Sequence, residues 1–296
     1  MGRVLISGAS GTIGSALTPA LTADGHQVVR LTRRGTTGGE QIIWDPSQPL
    51  APEAISGFEA VIHLAGESIV GRWTEAKKGR ILESRAQGTR HLAEAIAKAS
   101  QKPRVFVSAS AIGYYGNRDD EILREESASG TGFTFEICRA WEGATQPARD
   151  AGIRTVQLRI GVVLSASGGA LQKMLTPYKL GLGGRMGSGR QWWSWIHVDD
   201  LVGAVRHILK SDLQGPVNAV SPGAVTNAEF NKVLAAAVSR PAIFPMPGFV
   251  VKTIFGQMGD DLWLASQRVE PGKLLGSGYQ FKHPELKEAL RDLLGR

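Results

Sequence analysis

Gly8, Gly11 and Gly14 form a G-x-x-G-x-x-G turn between a short apolar segment, Val4-Leu5-Ile6, and a helix-compatible stretch. That placement suits capture of a pyrophosphate. Gly8 permits a tight turn, Gly11 lets backbone approach phosphate, and Gly14 lets a helix pack close to a sheet. The helix N-terminus then presents free N–H groups. The plainer alternative is a structural turn, since glycine punctuates many loops. The next apolar segment ends in Thr32-Arg33-Arg34, where a ribose-binding carboxylate would stand in an NAD site. Guanidinium groups fit a phosphate. This argues for NADP, with NAD as the alternative and a solvated basic turn as the competing reading. Asp45 is placed to bond the adenine amino group.

Three further groups can handle a proton. Ser110 follows the fifth strand, where it serves either as a substrate hydrogen-bonder or as a loop cap. The Tyr114 hydroxyl both donates and accepts. Glu67 becomes an acid/base if burial raises its pKa. Tyr115, Arg72, Trp73, Arg185, Trp192, Trp193 and Trp195 offer aromatic faces and cations that suit a flat or anionic substrate. The tryptophans serve equally well as glue between two lobes. His197, Asp199 and Asp200 read as a helix entry. No His/Asp/Cys spacing argues for a metal.

These groups need a scaffold. Apolar runs near residues 4–6, 27–32, 41–44, 60–64, 104–108 and 154–160 alternate with helical stretches at 13–24, 74–100 and 133–150. A break is expected near Gly88 and a kink at Pro19. Buried strands separated by helices predict an α/β fold, a Rossmann-type doubly wound parallel sheet. After residue 164 the texture changes, and residues 181–189 hold five glycines in nine. The expected organisation is a dinucleotide-binding domain over 1–167 and a lid and second-lobe segment over 168–194. Residues 195–225 return to the first domain, and a smaller, mostly helical C-terminal substrate lobe covers 226–296. The glycine-rich stretch is expected to be a mobile lid, with a tryptophan facing the nicotinamide.

Bulk properties narrow the classes. The 296 residues carry a single cysteine, Cys138, which excludes an internal disulfide and reads as a small buried hydrophobe. No apolar run reaches the ~18 residues of a membrane span, and the first strand starts too early to leave room for a signal peptide. The expectation is a cytoplasmic protein without a membrane partner. The +7 charge is dispersed rather than blocked, which disfavours nucleic acid and leaves a small-molecule substrate.

Four motifs taken together resemble the extended short-chain dehydrogenase/reductases. More narrowly, they resemble the nucleoside-diphosphate-sugar epimerase-like group with a C-terminal domain of unknown function. They are Ser7-Gly8-Ala9-Ser10-Gly11-Thr12-Ile13-Gly14; His63-Leu64-Ala65-Gly66-Glu67 with Ser84-Arg85-Ala86; Ser108-Ala109-Ser110-Ala111-Ile112-Gly113-Tyr114-Tyr115-Gly116; and Ser194-Trp195-Ile196-His197-Val198-Asp199-Asp200. Ser266-Gln267-Arg268-Val269 and Pro271-Gly272-Lys273 extend the resemblance to the tail. It implies NAD(P) chemistry on a carbonyl or secondary alcohol and a monomer or homodimer. Its cofactor contacts are Gly8, Ser10, Gly11, Thr12, Ile13, Gly14, Thr32, Arg33, Arg34, Asp45, Leu64, Ala65, Gly66, Arg85, Ser108, Ala109, Ile160 and Gly161. Such enzymes also carry a tyrosine and a lysine four apart on the helix after strand five. Here the matching positions are Phe135 and Arg139, or Thr134 and Cys138, and neither pair can do that work. The expected function is therefore an NADP-dependent oxidoreductase or epimerase-like enzyme. The alternatives are a true nucleotide-sugar epimerase and a cofactor-binding scaffold without turnover.

Overall fold

The computed structural model describes residues 2–35 and 38–295. Seven parallel strands form the main sheet: β1 (Arg3–Ser7), β2 (Gln27–Thr32), β3 (Gln41–Ile43), β4 (Ala60–His63), β5 (Val105–Ala111), β7 (Arg154–Ile160) and β11 (Gly215–Ala219). Short strands lie outside it: β6 (Ile122–Leu123), β8 (Val162–Leu164), β9 (Trp192–Trp193), β10 (Trp195–His197), β12 (Val225–Thr226) and β13 (Arg268–Val269). The spatial order is β11-β7-β5-β4-β1-β2-β3, which reverses direction after β1. Crevices for ligands open at the carboxyl ends of strands flanking such a reversal.

The strand period of two assigns the faces. Val4, Ile6, Ile62 and Val107 pack on α1 (Thr12–Ala23) and α6 (Val198–Lys210). Leu5, Val61 and Phe106 point the other way, onto α2 (Glu75–Lys98) and the short α4 (Gln146–Asp150). Between them in sequence, α3 (Phe133–Gly143) packs beside α2. Continuous apolar strands are thereby covered on both sides. The C-terminal lobe is helical: α5 (Gly169–Lys179), α7 (Asn227–Val238) and α10 (Leu286–Leu294) enclose Trp193, Trp195 and Phe230. The helix α8 (Gly248–Phe255), a π-helical turn at Gly259–Leu264 and α9 (Gly272–Gly276) complete it.

Two sequence expectations are corrected. The helix near Gly88 does not break: α2 runs unbroken for 24 residues. Gly88 instead admits Pro46, whose Cβ would lie 3.2 Å from a Cβ placed there. The stretch 133–150 is two helices, because Pro147 enters at the first turn of α4, the position that tolerates a missing N–H.

The glycine turn is as tight as its spacing implies. Gly8 has φ +74°, and a Cβ on Gly14 would fall 2.3 Å from the Gly8 carbonyl oxygen. Gly14→Ala is therefore expected to cost about 1–3 kcal/mol in urea unfolding. Gly79→Ala, in α2 with nothing within 4 Å, should gain about 0.5–1 kcal/mol. A neutral Gly14→Ala would refute the close packing of α1 on the turn.

Candidate cofactor and active site

The first turn of α1 is built to receive an anion. It contains no acidic residue, and its cap, Gly11, has no capping side chain. A Cβ on Gly11 would meet only the Gly8 oxygen, at 3.4 Å, whereas Gly8 is pressed against the Leu64–Ala65 backbone. The open side of the turn thus fits a pyrophosphate and the closed side fits the sheet. Ser10, Thr12 and Ile13 complete this terminus, and a Cβ on Gly168 would come within 2.8 Å of Thr12 Oγ1. The segment before α5 therefore overlies the same turn.

At the end of β2 the Thr32 hydroxyl donates to the Arg34 carbonyl (2.9 Å), which folds back the chain carrying the exposed Arg33 and Arg34. Asp45 accepts the Ser47 N–H (3.0 Å). That bond, aided by the nearby Arg33 charge, holds its carboxyl below the usual range. Glu67 behaves oppositely to the acid/base expectation. Lys77 Nζ donates to it at 2.6 Å and pulls its pKa down, with Arg80 and Arg33 adding to the effect. Glu67 is a paired carboxylate, not a proton donor.

Arg85 is also corrected. It is buried, with its guanidinium over the Trp141 ring (4.8 Å) and donating to the carbonyls of Glu67 (2.9 Å) and Ile81 (3.3 Å). Burial draws its pKa down to about 10. It shapes the loop at Leu64, Ala65 and Gly66 rather than reaching out of it. Beneath that loop, His63 Nδ1 pairs with Ser7 Oγ at 2.6 Å. Burial lowers its pKa to about 4, so the ring is neutral at pH 7.

Strand β5 runs on to Ala111, so Ser110 is a strand residue in register with Arg159, which is itself opposite Asn218. All three are buried, and the first two meet Glu142 of α3. Glu142 receives the Ser110 hydroxyl (2.8 Å) and both Nε (2.8 Å) and Nη2 (3.0 Å) of Arg159. Burial opposes the Arg159 charge, but the bonds and charge of Glu142 outweigh it and raise the pKa. Tyr115 lies below, fully buried. Its hydroxyl donates to Asn218 Oδ1 (2.8 Å) and accepts from Arg159 (3.0 Å), and burial pushes its pKa to about 12. Its side chain is committed wholly to the interior. Ser110 likewise spends its proton inward. Tyr114 differs: its ring lies 3.5 Å from the Arg159 Cζ and edge-on to Phe135. Its hydroxyl is without a hydrogen-bond partner among the described residues.

The usual tyrosine–lysine positions are accounted for. Thr134 and Cys138 turn inward beneath Ala111 and Gly113, with Cys138 Sγ 3.4 Å from the Ala111 oxygen, while Arg139 is exposed. Burial and the Glu142 charge drive the Cys138 pKa up to about 12. The N-terminus of α3 faces a carboxylate from far along the chain. Asp261 Oδ2 would lie 3.8 Å from a Cβ on Gly132; the N–H groups of Phe133 and Thr134 favour its charged form, although its burial raises its pKa.

Most of the aromatic substrate set is packed away. Trp73 sits in a cluster with Phe133, Ile81 and Met258. Trp193 and Trp195 belong to the lobe core, where Trp195 Nε1 donates to the Gly223 oxygen. They join elements within that lobe. Trp192 is half-buried, donates to Asp120 (2.8 Å) and carries Arg268 over its ring (4.3 Å). Arg72 and Arg185 are exposed. Ser108 and Ala109 are buried within β5, and Ile160 is buried at the end of β7. Gly161 sits where a Cβ would strike the Ser194 oxygen at 2.7 Å.

The sequence reading missed Glu142, Arg159, Asn218 and Asp261. A signal for the first existed: an arginine inside a doubly covered strand must have a buried partner. A cavity of about 280 Å³ between Asp24, Glu59 and Arg104 lies at the opposite, N-terminal edge of the sheet and is unconnected with these groups. His197, His283 and Asp292 bring ligand-type atoms within 4.8 Å. The two rings are stacked at 4.0 Å, however, and His197 Nδ1 accepts the Asp199 N–H. Stacked rings send their lone pairs along parallel lines, a poor geometry for one ion.

Residues 4–220 match the family model of the NAD dependent epimerase/dehydratase family, and residues 246–293 match a domain of unknown function. An epimerase family protein of Mycobacterium bovis is 43% identical, covering 97% of this chain and 96% of its own. The human epimerase family protein SDR39U1 is 39% identical and matches 99% of both chains. A crystal structure of human SDR39U1 with NADPH superposes with a TM-score of 0.91 at 38% identity, covering 99% of each chain. A nucleoside-diphosphate sugar epimerase from Corynebacterium glutamicum gives 0.83 at 38%, over 99% of this chain and 58% of the other. With a family model spanning most of its length and relatives matched from end to end, the chain belongs to the NAD dependent epimerase/dehydratase family.

Proposed function

We propose that the protein is an NADP(H)-dependent oxidoreductase that interconverts a carbonyl and a secondary alcohol on a small molecule. The observation that carries this is the pair Arg33 and Arg34 at the end of β2, beside a glycine turn whose open face takes a pyrophosphate. The NADPH bound to the human relative supports it. When bound, the cofactor supplies the hydride; the chain supplies the proton and the alignment. Tyr114 is the acid/base, because its hydroxyl is uncommitted at the carboxyl end of β5. Arg159 fixes the ring from one face and Ser110 holds Glu142, so Ser110 is a positioning residue. Trp192 and Arg268 form one wall. A reducing cytoplasm suits the lone, buried Cys138.

Aldehydes, ketones and sugar nucleotides should be screened with NADPH by absorbance of the reduced nicotinamide. Tyr114→Phe is expected to lower kcat about 100-fold or more with NADPH affinity unchanged, and Ser110→Ala to lower it less. Tyr114→Phe with full activity would remove the assignment. A second reading, a cofactor-binding protein without turnover, is favoured by the inward Thr134 and Cys138 in place of tyrosine and lysine. Turnover that depends on Tyr114 excludes it.

A further inference from the structure

The glycine-rich stretch expected to be a free lid is half of a ribbon. Residues 181–187 run parallel to 241–248, with Met186 bridged to Met246. The Gly183 carbonyl accepts the Phe244 N–H (3.1 Å), the Arg185 carbonyl the Met246 N–H (2.9 Å), and the Met246 carbonyl the Gly187 N–H (2.9 Å). The glycines serve close approach: a Cβ on Gly184 would fall 1.8 Å from the Phe244 oxygen. Met186 packs on the lobe core, but other large apolar side chains at the ribbon face solvent. Leu180, Leu182, Ile243 and Phe244 are 55–72% exposed, and α8, which continues the ribbon, adds Phe249 and Ile254. These are six of the ten large apolar side chains that are exposed among the described residues. Clustering of that kind marks a contact surface, where scattered single residues would not.

Charge selects the occupant. Residues 168–190 and 239–257 contain Lys173, Lys179, Arg185, Arg190, Arg240 and Lys252 and no acidic residue. All six are exposed. Among the described residues only Lys252 of these six is ion-paired, with Asp260 at 3.0 Å, while Arg185 and Arg240 also donate to the carbonyls of Ser188 and Ser239. A second copy docked face to face would oppose cation to cation, since a two-fold interface uses the same patch twice. A bilayer rich in anionic lipid accommodates both parts: apolar side chains enter the acyl boundary while the cations meet headgroup phosphates. We infer that residues 180–182 and 243–254 dock the protein peripherally on an anionic lipid surface. No helix among the described residues is long and apolar enough to cross a membrane, so the contact is interfacial.

The test is co-sedimentation of the full chain with vesicles of phosphatidylcholine plus phosphatidylglycerol, and of phosphatidylcholine alone. Anionic vesicles should bind at least about tenfold more protein at low salt, and high salt should release it. Phe249→Asp and Ile243→Asp should each remove most of the binding. Lys179→Glu with Arg240→Glu, which leaves the apolar strip intact, should weaken it. Leu275→Asp, at an exposed apolar position outside the strip, should bind as the parent does, and circular dichroism should be the same for all. Equal binding to neutral vesicles, or binding that survives both aspartates, overturns the inference. So does a dimer in sedimentation velocity that Phe249→Asp dissociates, because a second copy would then be what covers the strip.

Discussion

Replacing Arg33 with alanine is expected to erase most of the preference for NADPH over NADH. In calorimetric titration the parent should bind NADPH at least about tenfold more tightly, and Arg33→Ala should weaken NADPH about ten- to hundredfold while barely touching NADH. The expected loss is large because Arg33 does two things. It supplies a charge-assisted bond to a 2′-phosphate, and it stands near two carboxylates, Asp45 and Glu67, whose charges it offsets. Without it, an incoming phosphate meets the Asp45 carboxylate less fully offset, and Arg34 is left as the remaining cation of the turn. Equal affinity of the parent for the two cofactors would end this account.

The second large effect concerns stability. Arg159 is 3% exposed and its partner Glu142 14%. A buried pair is only weakly stabilising as a whole, but breaking it strands a charge out of water. Glu142→Ala should therefore cost about 3–5 kcal/mol in urea unfolding. The double substitution Glu142→Gln with Arg159→Met should cost clearly less than the single alanine, since no charge is then left unpaired. The single variant should also lose turnover, because Arg159 braces Tyr114 and accounts for one of the Tyr115 bonds. A loss below about 1 kcal/mol in Glu142→Ala would show that the pair is solvated in solution.

What could be read in advance followed from local rules. The alternation of apolar strands and helices is a property of neighbouring residues, and the doubly wound parallel sheet follows from connections of fixed hand. The glycine turn was legible because positive φ and close approach are demands that only glycine meets. Side-chain partnerships were not legible, because they join distant segments. Ser110 looked available until β5 proved to end three residues later and set it opposite Arg159. Tyr114 and Tyr115 are adjacent and chemically identical, yet strand and turn geometry bury one and leave the other half-open. Trp192, Trp193 and Trp195 carry equal aromatic potential, and only their positions in short strands β9 and β10 decide which enters the lobe core. Glu67 shows the same dependence: a carboxylate in a predicted pocket became a salt-bridge partner because the first turn of α2 brings Lys77 to it.

The placing of Asp261 has a consequence for how the chain comes into being. Gly132 has no side chain to cap α3, and a carboxylate near a helix N-terminus typically contributes about 0.3–1 kcal/mol. The carboxylate that faces the first turn of α3 belongs to residue 261, which is made long after residues 133–143. The segment matched by the epimerase/dehydratase model, residues 4–220, ends before that group. Translation order therefore leaves the first turn of α3 without this charge until the C-terminal helices are made.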